Sequence, residues 1–117
     1  MNEAVKLPRL ERLRSSWQLF VDNKPFLILG GQVQNSSMSS AEYMRTLWPK
    51  LAEMGINTVL GAVSWEATEP EEDVFDFTEL DAILADARAH NVRVAIVWFG
   101  SFKNGIVHHC ASHPRLA

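Results

Sequence analysis

The strongest constraint on the fold is a continuous run of mainly apolar and β-branched residues at positions 57–65. Such a run predicts a strand that is buried on both faces, as strands of parallel sheets are. A similar run occupies residues 92–99, and a shorter one at residues 25–29 continues into Gly30-Gly31. Because parallel strands are joined by long crossovers, the segments between these runs are expected to contain helices.

Two helical patterns lie between the runs. The first places apolar side chains at three- and four-residue spacing over residues 44–54, after a predicted capping box of Ser39 and Glu42. Pro49 lies inside this pattern and is expected to kink the helix or divide it after Trp48. The second pattern follows a cap at Asp76 or Thr78.

A β-hairpin is predicted ahead of these elements, because apolar runs at residues 17–21 and 25–29 flank a short polar turn. The order is therefore hairpin, strand, helix, strand, helix, strand. This alternation predicts an α/β fold with a parallel sheet.

Charge and composition exclude several classes of function. The formal net charge is −3 and Lys and Arg form no large cluster, which disfavours nucleic acid as a partner. The longest apolar run, residues 94–100, is too short to span a bilayer, and no signal peptide is recognised, so a cytoplasmic location is expected. No cofactor is expected, because Gly30-Gly31 lacks the G-x-G-x-x-G spacing. The oligomeric state is left open.

Candidate binding residues follow the carboxyl ends of the three strands, where parallel β/α folds collect their chemistry. They combine flat aromatic faces with directional hydrogen-bonding groups, a combination that suits sugars. The predicted substrate-binding residues are Gln32, Asn35, Trp65, Glu66, Trp98, Lys103 and Asn104.

Each candidate also has a purely structural interpretation. Trp65 and Trp98 can be core residues, and Glu66 can be a solvated loop position. Glu69 is expected to tie its loop to backbone amides or a cation rather than to act in catalysis. Glu66 and Glu69 are not expected to be a catalytic pair, because two residues on one short loop rarely flank a substrate.

No metal site is predicted. The tail motif His108-His109-Cys110-x-x-His113 contains zinc-type ligands but lacks the four-ligand spacing of structural zinc sites.

These segments together resemble the amino-terminal part of family 35 β-galactosidases, with a more distant similarity to family 42. The resemblance covers residues 8–105. Its motifs are Leu27-Ile28-Leu29-Gly30-Gly31-Gln32-Val33-Gln34-Asn35, Trp65-Glu66-x-x-Glu69-Pro70-Glu71-Glu72-x-Val74-Phe75-Asp76-Phe77, and Trp98-Phe99-Gly100-Ser101-Phe102-Lys103-Asn104-Gly105. Asp73 replaces the Gly that is usual in the second motif, and Ala62 stands where related enzymes have a pocket Tyr.

The resemblance implies a partial (β/α)8 (TIM) barrel, about its first three strands and two helices, from an enzyme that hydrolyses terminal β-galactosides with retention. The basic and irregular residues 1–16 are expected to be a surface lead-in, and the resemblance implies barrel structure at residues 17–105 and a divergent tail at residues 106–117. Both catalytic carboxylates of the family fall beyond Ala117, so no catalytic residue is assigned here and the chain is expected to be inactive alone. The alternatives are a non-catalytic carbohydrate-binding module and a nucleotide-binding βαβαβ domain.

Overall fold

A computed structural model of the protein describes residues 7–100. In chain order its elements are β1 (Arg9–Leu13), β2 (Ser16–Val21), β3 (Lys24–Pro25), β4 (Gly30–Gln32), a 3₁₀ helix (Ser37–Ser39), α1 (Ala41–Glu53), β5 (Thr58–Ser64), α2 (Trp65–Thr68), α3 (Thr78–Ala89) and β6 (Arg93–Phe99). Strands β1, β2 and β3 form an antiparallel sheet, whereas β4, β5 and β6 form a parallel sheet with β5 in the centre. The predicted α/β class is therefore confirmed.

The antiparallel sheet contains one more strand at its amino-terminal end than the sequence predicts. Arg9–Leu13, inside the expected irregular lead-in, is a strand that pairs with β2 along its whole length. Cross-strand contacts explain this, since the Arg9 guanidinium lies 5.1 Å from the centre of the Phe20 ring. The predicted turn between β2 and β3 is present, and Asp22 and Asn23 adopt the positive φ angles of a tight hairpin turn.

The segment at residues 27–29 joins the parallel sheet through a side chain rather than through strand pairing. Asn57 accepts a hydrogen bond of 2.9 Å from the Leu29 backbone N–H and donates one of 2.8 Å to the Leu27 carbonyl. Strand β4 accordingly begins only at Gly30. A Cβ at Gly31 would lie 2.7 Å from Ile56 Cδ1, so close packing explains a glycine at this position.

Helix α1 differs from expectation at two points. Its N-cap is Ser40, whose hydroxyl accepts a hydrogen bond from the Tyr43 N–H, so the predicted Ser39–Glu42 capping box is wrong. The helix also runs unbroken through Pro49, which was expected to kink or divide it. Pro49 is exposed, whereas Trp48 beside it is fully buried, and this packing holds the helix across the missing hydrogen bond.

Helices α1 and α3 cover one face of the parallel sheet, here called the helix face. The core between them contains Met38, Ala41, Met44, Trp48, Val59, Val63, Ile83, Ala87 and Val92. Arg45 of α1 forms an ion pair of 2.8 Å with Asp86 of α3. None of the helices within residues 7–100 combines the length and the apolar character needed to cross a lipid bilayer.

Candidate functional site

The register of the parallel sheet separates the candidate residues onto two faces. Residues paired in neighbouring parallel strands point to the same side, and successive residues point to opposite sides. Val63 pairs with Trp98 and belongs to the helical core, so Trp98 lies on the helix face. Ser64 pairs with Phe99, which therefore lies on the opposite side, here called the open face.

The open face carries a shallow cavity of about 130 Å³ at the carboxyl ends of the strands. Among its lining residues are Gln32, Asn35, Leu60, Ala62, Val97 and Phe99. Its polar groups include two side-chain amides, and its walls include one aromatic ring. Gln32 and Asn35, two of the predicted binding residues, both line this cavity.

Phe99 and Ala62 line the cavity but are not among the predicted substrate-binding residues, although the aromatic ring of Phe99 offers the same kind of flat face as Trp65 and Trp98. The period of two along a strand is the signal that could have separated Phe99 from Trp98, because adjacent residues cannot both face the same side. Ala62 pairs with Val97 on this face. Its small side chain leaves open the space that a larger residue would fill.

Trp65 and Trp98 meet at the carboxyl ends of β5 and β6. Their ring centres are 6.4 Å apart with an interplanar angle of 40°, a tilted aromatic contact. Trp98 is 52% exposed, so it is not a core residue within the described part of the chain. The structure brings these two candidates together but does not place them among the residues that line the open-face cavity.

Glu69 anchors this aromatic pair. The Trp65 Nε1–H donates to Glu69 Oε2 at 2.6 Å, and the Asp73 backbone N–H donates to Glu69 Oε1 at 2.8 Å. Glu69 is 6% exposed, so both hydrogen bonds are largely shielded from water. This agrees with the structural role expected for Glu69, which ties its loop to a backbone amide.

Among the remaining candidates, Glu66 is described by the structure and does not line the cavity. Glu66 is exposed on the first turn of the short helix α2, a segment that the sequence analysis treats as loop. Lys103 and Asn104 lie outside the described residues.

The acidic loop after α2 has a defined conformation. Asp73 has a φ of 62°, the left-handed conformation under which Asp in place of Gly is tolerable. The Asp76 N–H donates to the Thr68 carbonyl at 2.8 Å and so closes the loop. Hydrogen bonds from the Thr78 side chain and then from its backbone N–H lower the pKa of Asp76 below its ordinary value of 3.8. Asp76 therefore accepts a hydrogen bond from the first residue of α3, although the N-cap position of this helix is Phe77.

Within residues 7–100 no group of three or more His, Cys, Asp or Glu side chains is arranged to hold a metal ion. The motif at residues 108–113 lies outside this range.

Comparison with known proteins connects this arrangement to glycosidases. A family model of β-galactosidases, Glyco_hydro_42, matches residues 35–98, which is more than half of the chain. A β-galactosidase from Xanthomonas manihotis is 28% identical over an alignment of 104 residues, and the match covers 80% of this chain. An endo-1,4-β-xylanase A from Humicola insolens is 38% identical over an alignment of 60 residues, and the match covers 49% of the chain.

A solved structure shares the fold. The exo-β-1,4-mannosidase Op5Man5 from Opitutaceae bacterium strain TAV5 superposes with a TM-score of 0.55 over 72% of this chain, at 21% identity. The observed strands and helices are those of a partial (β/α)8 barrel. The chain spans only 17% of that structure, 17% of the β-galactosidase and 16% of the xylanase.

The family match corrects the resemblance drawn from the sequence, which favoured family 35 over family 42. The matching model is family 42, which was expected to be the more distant similarity, and both families are glycoside hydrolases. The chain belongs to the Glyco_hydro_42 β-galactosidase family.

Proposed function

We propose that this chain supplies the first three parallel strands and two crossover helices of a barrel that hydrolyses terminal β-galactosides. The observation that carries the proposal is the convergence of Gln32, Asn35 and Phe99 on one cavity at the carboxyl ends of the strands. Barrel enzymes place their active sites at this end. The family 35 resemblance and the family 42 match share the substrate class, and this supports a β-galactoside.

The chemistry of the cavity suits part of a sugar-binding site. Side-chain amides of Gln32 and Asn35 can each donate and accept, as hydroxyl groups require, while the Phe99 ring offers an apolar surface. The cavity measures about 130 Å³. Complete ligand pockets measure about 300–1,000 Å³, so these residues represent one wall of a larger site.

We further propose that the 117-residue chain binds galactosides without hydrolysing them. Retaining glycosidases use two carboxyl groups about 5–5.5 Å apart on either side of the scissile bond. Both oxygens of Glu69 already accept hydrogen bonds, from Trp65 and Asp73. Glu66 is exposed on α2 and does not line the open-face cavity. These positions support the expectation that no residue described here is a catalytic acid or nucleophile.

The test combines calorimetry with an activity assay on the 117-residue chain. We expect methyl β-galactoside to bind weakly, Gln32→Ala to weaken binding severalfold, and no release of product from an aryl β-galactoside. Gln18→Ala is the matched control, because Gln18 lies on β2 of the antiparallel sheet. Binding that is absent, or equal in the wild type and Gln32→Ala, would overturn the assignment of the cavity. Turnover of the aryl galactoside would overturn the proposed lack of activity.

A further inference from the structure

We infer that Glu69 is a positioning residue, which sets the place of Phe99 in the open-face cavity through Trp65 and Trp98. This inference rests on the proposed function, because it assigns Glu69 a role in the same sugar-binding wall. Glu69 itself touches neither the cavity nor, on this account, the substrate.

The first step is the attachment of Trp65 to Glu69. Two contacts join these residues across one helical turn: the Glu69 N–H donates to the Trp65 carbonyl at 2.8 Å, and the Trp65 indole N–H donates to the Glu69 carboxylate at 2.6 Å. Because Glu69 is largely buried, this second bond is shielded from competition with water. The indole plane of Trp65 is thereby held in one orientation.

The second step is the attachment of Glu69 to the acidic loop. Its other oxygen accepts the Asp73 N–H, which the left-handed backbone of Asp73 presents to it. The Val74 N–H donates to the Glu71 carbonyl at 3.0 Å, and these two residues also form an isolated bridge. A single carboxylate therefore fixes both Trp65 and the loop that follows it.

The third step runs from Trp65 to β6. The Trp65 ring contacts Trp98, and a Cβ at Gly100 would lie 2.8 Å from Trp98 Nε1 and 3.8 Å from Trp65 Cε3. A glycine at position 100 thus lets the backbone pass close to the indole of Trp98. Phe99 lies between Trp98 and Gly100 in the chain and points to the open face. Because the Trp98 ring lies against the backbone at Gly100, we expect a displaced ring to shift the backbone that carries Phe99.

Glutamine at position 69 offers a graded test of this chain of contacts. A carboxylate can accept from both Trp65 Nε1 and the Asp73 N–H, whereas the single carbonyl oxygen of Gln cannot occupy both carboxylate positions. Its amide NH₂ group would face the second donor. We therefore expect Glu69→Gln to preserve one contact and Glu69→Ala to lose both.

The experiment is residue-resolved NMR of the 117-residue chain, with the indole signal of Trp65 identified by Trp65→Phe. In Glu69→Ala we expect the indole proton of Trp65 to move upfield and to exchange with solvent about tenfold faster, because a hydrogen bond to a charged group is lost. The backbone and ring signals of Phe99 should shift as well, and methyl β-galactoside affinity should fall severalfold. Glu69→Gln should give intermediate values for all three.

Glu71→Ala is the matched control, because Glu71 is exposed on the acidic loop that follows Glu69. Signals of Val59 and Ile83 in the core report whether each variant remains folded. If Glu69→Ala unfolds the chain, Glu69→Gln is the variant that tests the positioning role of Glu69. Unchanged Phe99 signals in a folded Glu69 variant whose Trp65 signal moves would overturn the positioning role. Failure of the wild type to bind the galactoside would instead contradict the proposed function.

Discussion

The carboxylate of Glu79, on α3, accepts a 2.7 Å hydrogen bond from the backbone N–H of Ala41, the first residue of α1. The first N–H groups of a helix have no partner within the helix, so a side chain from another element satisfies one of them here. The negative charge also lies at the positive end of the α1 dipole. One residue thus caps a helix that is 38 positions away in the chain.

Replacing Glu79 with Ala should lower the free energy of unfolding by about 1 kcal/mol, the usual cost of losing a helix cap. Glu79→Gln should cost less, because the amide oxygen can still accept the bond. Urea denaturation followed by circular dichroism measures both. Asp81→Ala is the control, since Asp81 also lies in the first turn of α3. Equal losses for the Glu79 and Asp81 variants would contradict a specific cap.

Replacing Asn57 should lower the free energy of unfolding, because its side-chain amide oxygen and nitrogen connect residues 27–29 to the start of β5. Asn57→Ala leaves the Leu29 N–H and the Leu27 carbonyl without this partner, with an expected cost of about 1–3 kcal/mol. Asn57→Asp keeps an acceptor for Leu29 but loses the donor to Leu27. Amide exchange at Leu29 should accelerate in the Ala variant and much less in the Asp variant. Equal acceleration in the two would contradict the account.

Gly61 is required by the packing of Met38 on the helix face. A Cβ at position 61 would lie 2.0 Å from Met38 Sδ and 3.2 Å from Val33 Cγ2. Gly61→Ala should therefore destabilise the chain by about 1–3 kcal/mol through overpacking. Shortening the neighbour should relieve the clash, so Met38→Ala combined with Gly61→Ala should cost less than the sum of the single variants. An additive double variant in the same urea assay would show that the two side chains do not compete.

The stability contribution of Asp76 should depend on pH in the acidic range. Its folded-state pKa is lowered by the hydrogen bonds from Thr78, so the ionised form is favoured by folding. The contribution is fully present above the unfolded pKa near 3.8, and it is lost as pH falls through the lower folded value. Titration of the Asp76 carboxyl carbon by NMR should give a pKa below 3.8, and Thr78→Val should raise it. A pKa that is unchanged in Thr78→Val would rule out this cause.

Strand β6 should promote self-association of the 117-residue chain. Among the described residues it pairs only with β5, and its Ile96 side chain is 47% exposed. An exposed apolar edge strand is a template for pairing with another chain, and a charged residue there opposes such pairing. Ile96→Lys should therefore lower the sedimentation coefficient at high concentration, whereas Ile28→Lys, outside the sheet, should not. A wild type that remains monomeric at high concentration would contradict this.

The parallel sheet follows from local sequence, because the apolar runs at residues 57–65 and 92–99 are sufficient to define its strands. Burial on both faces was predicted for both runs; within residues 7–100 it holds for most of β5, whereas β6 is mostly exposed because it lies at the edge of the sheet. The early strand Arg9–Leu13 is not predictable in the same way. Its residues mix Arg and Glu with Leu, and the strand is specified by pairing with β2 rather than by its own pattern. The unbroken α1 has a similar cause, since tertiary burial of Trp48 outweighs the local effect of Pro49.

The candidate site is predictable in location but not in its division into two faces. Polar and aromatic residues after each strand identify the carboxyl edge of the sheet. The sequence does not show the register that puts Trp98 on the helix face and Phe99 on the open face. Glu69 lies four positions after Trp65, a spacing that allows a contact on a helix, but the second bond to Asp73 depends on a loop conformation.

The most direct test of the sugar-binding account is a titration of the labelled 117-residue chain with methyl β-galactoside, followed residue by residue in nitrogen–proton NMR spectra. The account predicts saturable shifts in the side-chain amide signals of Gln32 and Asn35 and in the backbone signal of Phe99. Signals of Gln18 on β2 should stay in place. An absence of saturable shifts at the open-face cavity, or shifts confined to the antiparallel sheet, would contradict it.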